Sequence, residues 1–219
     1  MSNENYIVVW DLETQTTIKS MIGETVAEQT AACQVSVVCA LRIPLSLVLA
    51  PSSVEAAMEE AAAISCWRDE DPDGAGPFDA LFRLFDGATV IAGFNTCGFD
   101  HVVMRKYYGK QRSRYESHLL KSFDPFSRLR DVTGNWYKLD TLLGCNGLDV
   151  KTASGLEAIR MWERGERETL EEYCAHDVAQ TARLLLQREL KIPNSDTRIP
   201  NHVFGIESAV RAIMFGNSA

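Results

Sequence analysis

The stretch Tyr6-Ile7-Val8-Val9-Trp10-Asp11-Leu12-Glu13-Thr14 decides the reading of the fold. Its first five residues are apolar or aromatic, and a polar break follows, which predicts a first strand over residues 6–11. Asp11 and Glu13 lie two apart, so on a strand both carboxylates point to one face. They emerge together where a buried strand ends, and they repel each other unless a cation joins them. A solvated strand end would use the same two residues, and an Asp-x-Glu triplet is common by chance in an acidic chain.

Two later stretches bear on that choice. Ala88 to Gly93 reads as a second apolar strand, followed by Asn95-Thr96-Cys97-Gly98-Phe99-Asp100. Gly93 permits a sharp turn there, and Asn95 can fix it through side-chain-to-backbone bonds. Phe99 would pack inward and so fix where Asp100 points. Further on, Tyr173 and Asp177 in Tyr173-Cys174-Ala175-His176-Asp177 are four apart, one above the other on a helix face. Each motif alone admits a plain structural reading: a capped helix start, or a buried tyrosine beside a surface aspartate. Asp124 and Asp140 read as helix-start caps, and His176 falls off the Tyr173–Asp177 face.

Outward from these motifs, Cys33 to Ile43 reads as a strand interrupted by Pro44. Leu45 to Leu49 is expected to return as a strand paired with it. A helix follows Pro51-Ser52-Ser53 to about Ile64, with Ser52 or Ser53 as N-cap. Residues 66–77, rich in Asp, Gly and Pro, read as a loop. Helices are expected at 78–86 and 98–108, with a strand at 119–123 and short helices within 137–163. The strongest helix is Glu166 to Leu190, with Leu170, Cys174, Val178, Thr181 and Leu185 on one stripe. A final helix is placed at 206–215. Strands first and then alternating elements predict an α/β fold, a mixed central β-sheet flanked by α-helices.

The 219 residues carry a net charge of −8, which disfavours general adhesion to nucleic acid. Residues 101–130 run the other way, with Arg105, Lys106, Lys110, Arg112, Arg114, Lys121, Arg128 and Arg130 against Glu116 and Asp124. Such a tract either follows a phosphate backbone or is a solvated face. Cys33, Cys39, Cys66, Cys97, Cys145 and Cys174 include no Cys-x-x-Cys pair. Six free thiols in a cytoplasmic or other reducing intracellular compartment are expected. No membrane span and no signal peptide is expected.

In order and spacing the three motifs resemble the ribonuclease H-like 3′–5′ exonucleases of the four-acid, tyrosine type (DEDDy). They are most similar to stand-alone relatives of the proofreading exonuclease domains of family B DNA polymerases. The tract Gly155 to Trp162 leading into Glu171 to Val178 shares the resemblance, which spans about residues 6–188. Histidine-type relatives carry a histidine five residues before the last aspartate, where this chain has Glu172.

The resemblance implies a single exonuclease domain over 1–219, with 191–219 an extension of unknown role. Asp11, Glu13, Asp100 and Asp177 become metal ligands for two divalent cations, Mg²⁺ or Mn²⁺, with Tyr173 a fifth catalytic residue. Nucleic acid with a free 3′ end, preferably single-stranded DNA, becomes the partner, in DNA repair or processing. Thr14, Asn95, Phe99 and Lys151 are candidate substrate contacts, and Tyr107, Tyr108 and Tyr115 further stacking candidates; the aromatics read equally as core or surface residues and Lys151 as a solvated loop lysine. An exoribonuclease of the same fold and a catalytically silent binding module are the rival readings.

Overall fold

The computed structural model describes residues 5–49, 53–69, 77–150 and 155–215, with side chains as far as Arg211. Strand β1 (Tyr6–Thr14) lies at the centre of the sheet. β2 (Val35–Pro44) pairs with it antiparallel along its whole length, from Tyr6 opposite Pro44 to Thr14 opposite Val35. β3 (Ser65–Arg68), β4 (Val90–Ala92) and β5 (Ser122–Phe123) complete the order β3-β2-β1-β4-β5. β3 is antiparallel to β2, whereas β4 and β5 continue parallel to β1.

The helices before the long one are α1 (Val26–Ala32), α2 (Leu45–Leu49), α3 (Val54–Glu60), α4 (Asp79–Gly87), α5 (Asp100–Met104), α6 (Arg112–Leu120), α7 (Pro125–Thr133), α8 (Leu139–Cys145) and α9 (Gly155–Arg164). The long α10 (Arg167–Leu186) is followed by a hairpin of β6 (Glu189–Lys191) and β7 (Arg198–Pro200), then α11 (Asn201–Phe204) and α12 (Ile206–Phe215). This mixed sheet between helices is an α/β, ribonuclease H-like fold.

β1 is apolar on both faces because both are covered. Ile7 and Val9 join an apolar cluster with Leu170, Cys174, Val178 and Leu185 of α10. Val8, Trp10 and Leu12 pack on the opposite side against Leu81, Phe82 and Phe85 of α4 and Val103 and Met104 of α5. Asp11 and Glu13 have the parity of Ile7 and Val9, so they face α10. Described residues after 188 also pack into the core. Leu190, Ile199 and Phe204 form a third cluster with Leu129, Leu142 and Leu184, and Ile206 and Val210 of α12 enter the α10 cluster.

Several sequence expectations are corrected. Leu45–Leu49 is helix α2, not a strand, with Leu45 and Val48 buried at helical spacing. The third strand is Ser65–Arg68, overlapping the start of the stretch read as a loop, where Cys66 and Trp67 pair with Cys39 and Val38. Cys39 and Cys66, directly opposite, form a disulfide, so the expectation of six free thiols fails; Cys33, Cys97, Cys145 and Cys174 are free. The helix expected over 98–108 is α5 followed by a 3₁₀ turn at Arg105–Tyr108. The helix α10 stops at Leu186, and residues 189–191 turn back as β6. Ser53 caps α3, accepting the Ala56 N–H at 3.0 Å; Ser52 lies outside the described residues. No described helix is long and apolar enough to cross a membrane.

Part of the basic tract serves the fold. Lys106 donates to the carbonyls of Ala32 and Cys33, and Lys121 to that of Asp86 at 2.7 Å. Arg114 grips Asp86 with two nitrogens, at 2.6 and 3.1 Å, and reaches Asp79 at 3.0 Å. His118, fully buried, bridges Asp86 and the Tyr108 hydroxyl, both at 2.7 Å. Burial lowers the His118 pKa, outweighing the opposing pull of Asp86.

An unfolded imidazole takes up its proton near pH ~6.5. The folded one resists protonation to lower pH, so in that window the unfolded state binds more protons and stability falls as pH drops. The urea midpoint is therefore expected to be lower at about pH 5 than at about pH 7.5, with the slope reduced in His118→Gln. An unchanged slope in that variant would contradict the assignment.

Candidate metal centre

The site forms where β1 outruns β4. β4 pairs only with Ile7, Val8 and Val9, leaving Trp10 to Thr14 without a parallel neighbour. The turn after β4 fills the gap: the Leu12 N–H donates to Asp100 Oδ1 at 3.2 Å, a side chain standing in for a missing strand. Gly93 is required by close approach, since a Cβ there would lie 2.5 Å from the Trp10 carbonyl oxygen. Asn95 makes the turn itself by adopting φ +62°, and its carbonyl accepts the N–H groups of Gly98 and Phe99. Asp124 accepts the Asn95 N–H at 2.8 Å and the Cys97 N–H at 3.2 Å, and it caps α7 through Phe126 N–H at 3.0 Å. It thereby fixes the turn as well as its own helix. Asp140, also read as a cap, sits instead inside the first turn of α8.

From the other side, α10 brings Tyr173 and Asp177, both buried, one helical turn apart. Asp11, Glu13 and Asp177 each offer a carboxylate oxygen, all within 4.8 Å of one another. Asp100 is outside this trio but beside it, lining the same cleft, and it is almost wholly buried. Burial first, then the charge of Asp11, pushes the Asp100 pKa well up, against the lowering effect of the Leu12 N–H. The Cys174 thiol donates to the Asp11 carbonyl at 3.5 Å. Burial and the neighbouring acids raise its pKa well above the usual thiol range, so it stays protonated and offers no thiolate. The trio is thus an all-oxygen, anionic cup that can hold a metal ion.

The cup opens into a cleft of about 360 Å³ lined by Thr14, Asn95 and Phe99 among others. Three of the four expected substrate contacts therefore border it, while Lys151 lies outside the described residues. Tyr107, Tyr108 and Tyr115 do not border it. They belong to the α4–α5 cluster, where Tyr108 stacks on Phe82 at 3.9 Å and Tyr115 donates to the His101 carbonyl. Phe94, Leu156 and Ile159 also line it and were not anticipated as cleft residues. The apolar 3.6-residue pattern over α9 was the signal available for the last two.

No protein-family model and no curated protein sequence matches the chain. Among solved structures it is similar to the family B DNA polymerase from the hyperthermophilic archaeon Pyrobaculum calidifontis, with TM-score 0.53 and 14% sequence identity. The match covers 82% of this chain and 24% of the polymerase chain, so this chain spans about a quarter of that protein. At that identity the likeness is one of fold.

Proposed function

We propose that the chain is a single-domain, metal-dependent 3′–5′ exonuclease that removes nucleotides from the 3′ end of single-stranded DNA. The observation that carries this reading is the meeting of Asp11, Glu13 and buried Asp177, with Asp11, Glu13 and Asp100 opening onto the cleft and Asp177 behind them. Asp11, Glu13, Asp100 and Asp177 would hold two divalent cations, and hard carboxylate oxygens favour Mg²⁺ or Mn²⁺. When bound, such ions acidify a water and stabilise the attacking and leaving oxygens of an in-line displacement.

The chain's own contribution is positional. The strand pair Asp11 and Glu13 is rigid because β1 is paired along its length with β2. Asp177 is fixed by the buried stripe of α10. A free phenol has a pKa of about 10, so Tyr173 is a poor base at neutral pH. Its role is to orient the attacking water by a hydrogen bond. Thr14, Asn95, Phe99 and Lys151 would receive the terminal nucleotide.

Tyr173→Phe is accordingly expected to lose about tenfold in rate, as for groups that act by orientation. The check is the initial rate on a 3′-labelled oligonucleotide, and total loss would make Tyr173 more than an orienting group. The reading as a whole is tested on one gel carrying single-stranded, 3′-recessed and 3′-blocked DNA, with RNA in parallel, each with Mg²⁺, Mn²⁺ or EDTA. Stepwise shortening of open 3′ ends that EDTA abolishes is the expected result. Binding without any metal-dependent cleavage would sink it.

A further inference from the structure

Phe94 both lines the acidic cleft and packs into the third apolar cluster. Its ring meets Phe126 of α7 at 5.4 Å between centroids, and Phe126 meets Trp136 at 4.6 Å with 36° between planes. Trp136 stands in the connection between α7 and α8 with 56% of its surface exposed. The Arg130 guanidinium lies over the indole, 4.6 Å from its centre, and is itself half in solvent. Three rings in contact thus run from the cleft to the surface and end on an exposed indole under a planar cation. An indole this open adds little to a core, and its arrangement is continuous with the cleft through Phe94.

Building on the exonuclease reading, we infer that this row is a stacking platform for the unpaired bases of a single-stranded 3′ end, with Trp136 its outer anchor. Every base has a π-face, so an aromatic platform holds single strands with little regard to sequence. A guanidinium stacks on aromatic faces and also binds phosphate. Arg130 therefore exchanges its place over the indole for a base and passes to the adjoining phosphate. In a duplex each base face is already covered by its neighbours, so the platform favours unpaired ends. Trp136 stands two rings out from the cleft, and so meets a nucleotide upstream of the one being removed.

The test separates grip from chemistry. Binding of a fluorescein-labelled oligothymidylate is measured in EDTA by anisotropy, and Mn²⁺-dependent hydrolysis is measured on the p-nitrophenyl ester of thymidine 5′-monophosphate, which fills the cleft alone. Trp136→Ala is expected to weaken oligonucleotide binding about tenfold or more. Trp136→Phe restores most of the binding, and both variants hydrolyse the small ester at the wild-type rate. Tryptophan quenching by the oligonucleotide is expected to be reduced in Trp136→Phe, leaving only the share of the three other tryptophans.

Wild-type affinity in Trp136→Ala, absence of oligonucleotide binding by the wild type, or an equal loss on the small ester overturns the platform. A wild type that cleaves nothing yet binds through Trp136 sinks the exonuclease reading and leaves the platform standing. One that cleaves with binding indifferent to Trp136 does the reverse.

Discussion

Asp177→Asn and Asp11→Ala are each expected to lower metal-dependent hydrolysis of a 3′-labelled oligonucleotide by about a thousandfold or more. The reason lies in the geometry of the cup. Three carboxylates with oxygens within 4.8 Å could hold a cation between them, and two of them come from β1 while the third comes from α10. Removing one takes away an anionic donor, weakening the hold on the ion and loosening its position. A second readout isolates the metal from the chemistry. A ligand that binds only the folded state stabilises it by mass action, about 2.7 kcal/mol at a hundred times its Kd. Mg²⁺ should raise the wild-type melting temperature and leave that of Asp177→Asn almost unmoved. Equal shifts in the two proteins would place the cation elsewhere.

Gly93→Ala is expected to cost about 3 kcal/mol of stability, the upper range for inserting a methyl group where no space exists. The added Cβ would lie 2.5 Å from the Trp10 carbonyl oxygen and 2.3 Å from Thr96 Cγ2. Neither can retreat, since Trp10 is fully buried in β1 and Thr96 in the turn that carries Asp100. Gly134 provides the contrast. A Cβ there meets nothing within 4 Å, and only its φ of +74° opposes the substitution. Gly134→Ala should cost about 1 kcal/mol, the usual penalty for a left-handed residue with a side chain. Urea unfolding of both variants measures the difference, and equal costs would mean that β4 and β1 separate more readily than their packing implies. Activity should fall with stability in Gly93→Ala, because the same turn sets Asp100 beside Leu12.

The elements legible in the chain were those whose local pattern and tertiary role agree. The run Tyr6 to Trp10 is apolar at both parities and becomes a strand covered on both faces. The stripe Leu170, Cys174, Val178, Thr181 and Leu185 repeats at helical spacing and is wholly buried in α10. Leu45 to Leu49 failed because five apolar residues satisfy either period, and only the neighbours choose. Residues 65–68 failed for the converse reason: a short strand flanked by polar residues is made by its partner β2, not by its own propensity. The basic tract was left undecided between a phosphate contact and a solvated face, because charge along the sequence does not state what faces it. Lys106, Arg114 and Lys121 turned out to satisfy carbonyls and carboxylates of neighbouring elements.

By itself, the order of residues determined the parity of Asp11 and Glu13 on one strand and the one-turn separation of Tyr173 and Asp177, since both follow from the fixed repeats of strand and helix. Only the tertiary structure decided that Asp177 meets the strand acids, that Asp100 caps Leu12 where β4 stops short, and that Phe94, Phe126 and Trp136 form one row. Those are contacts between residues far apart in the chain, set by how the layers pack, and no local period encodes them.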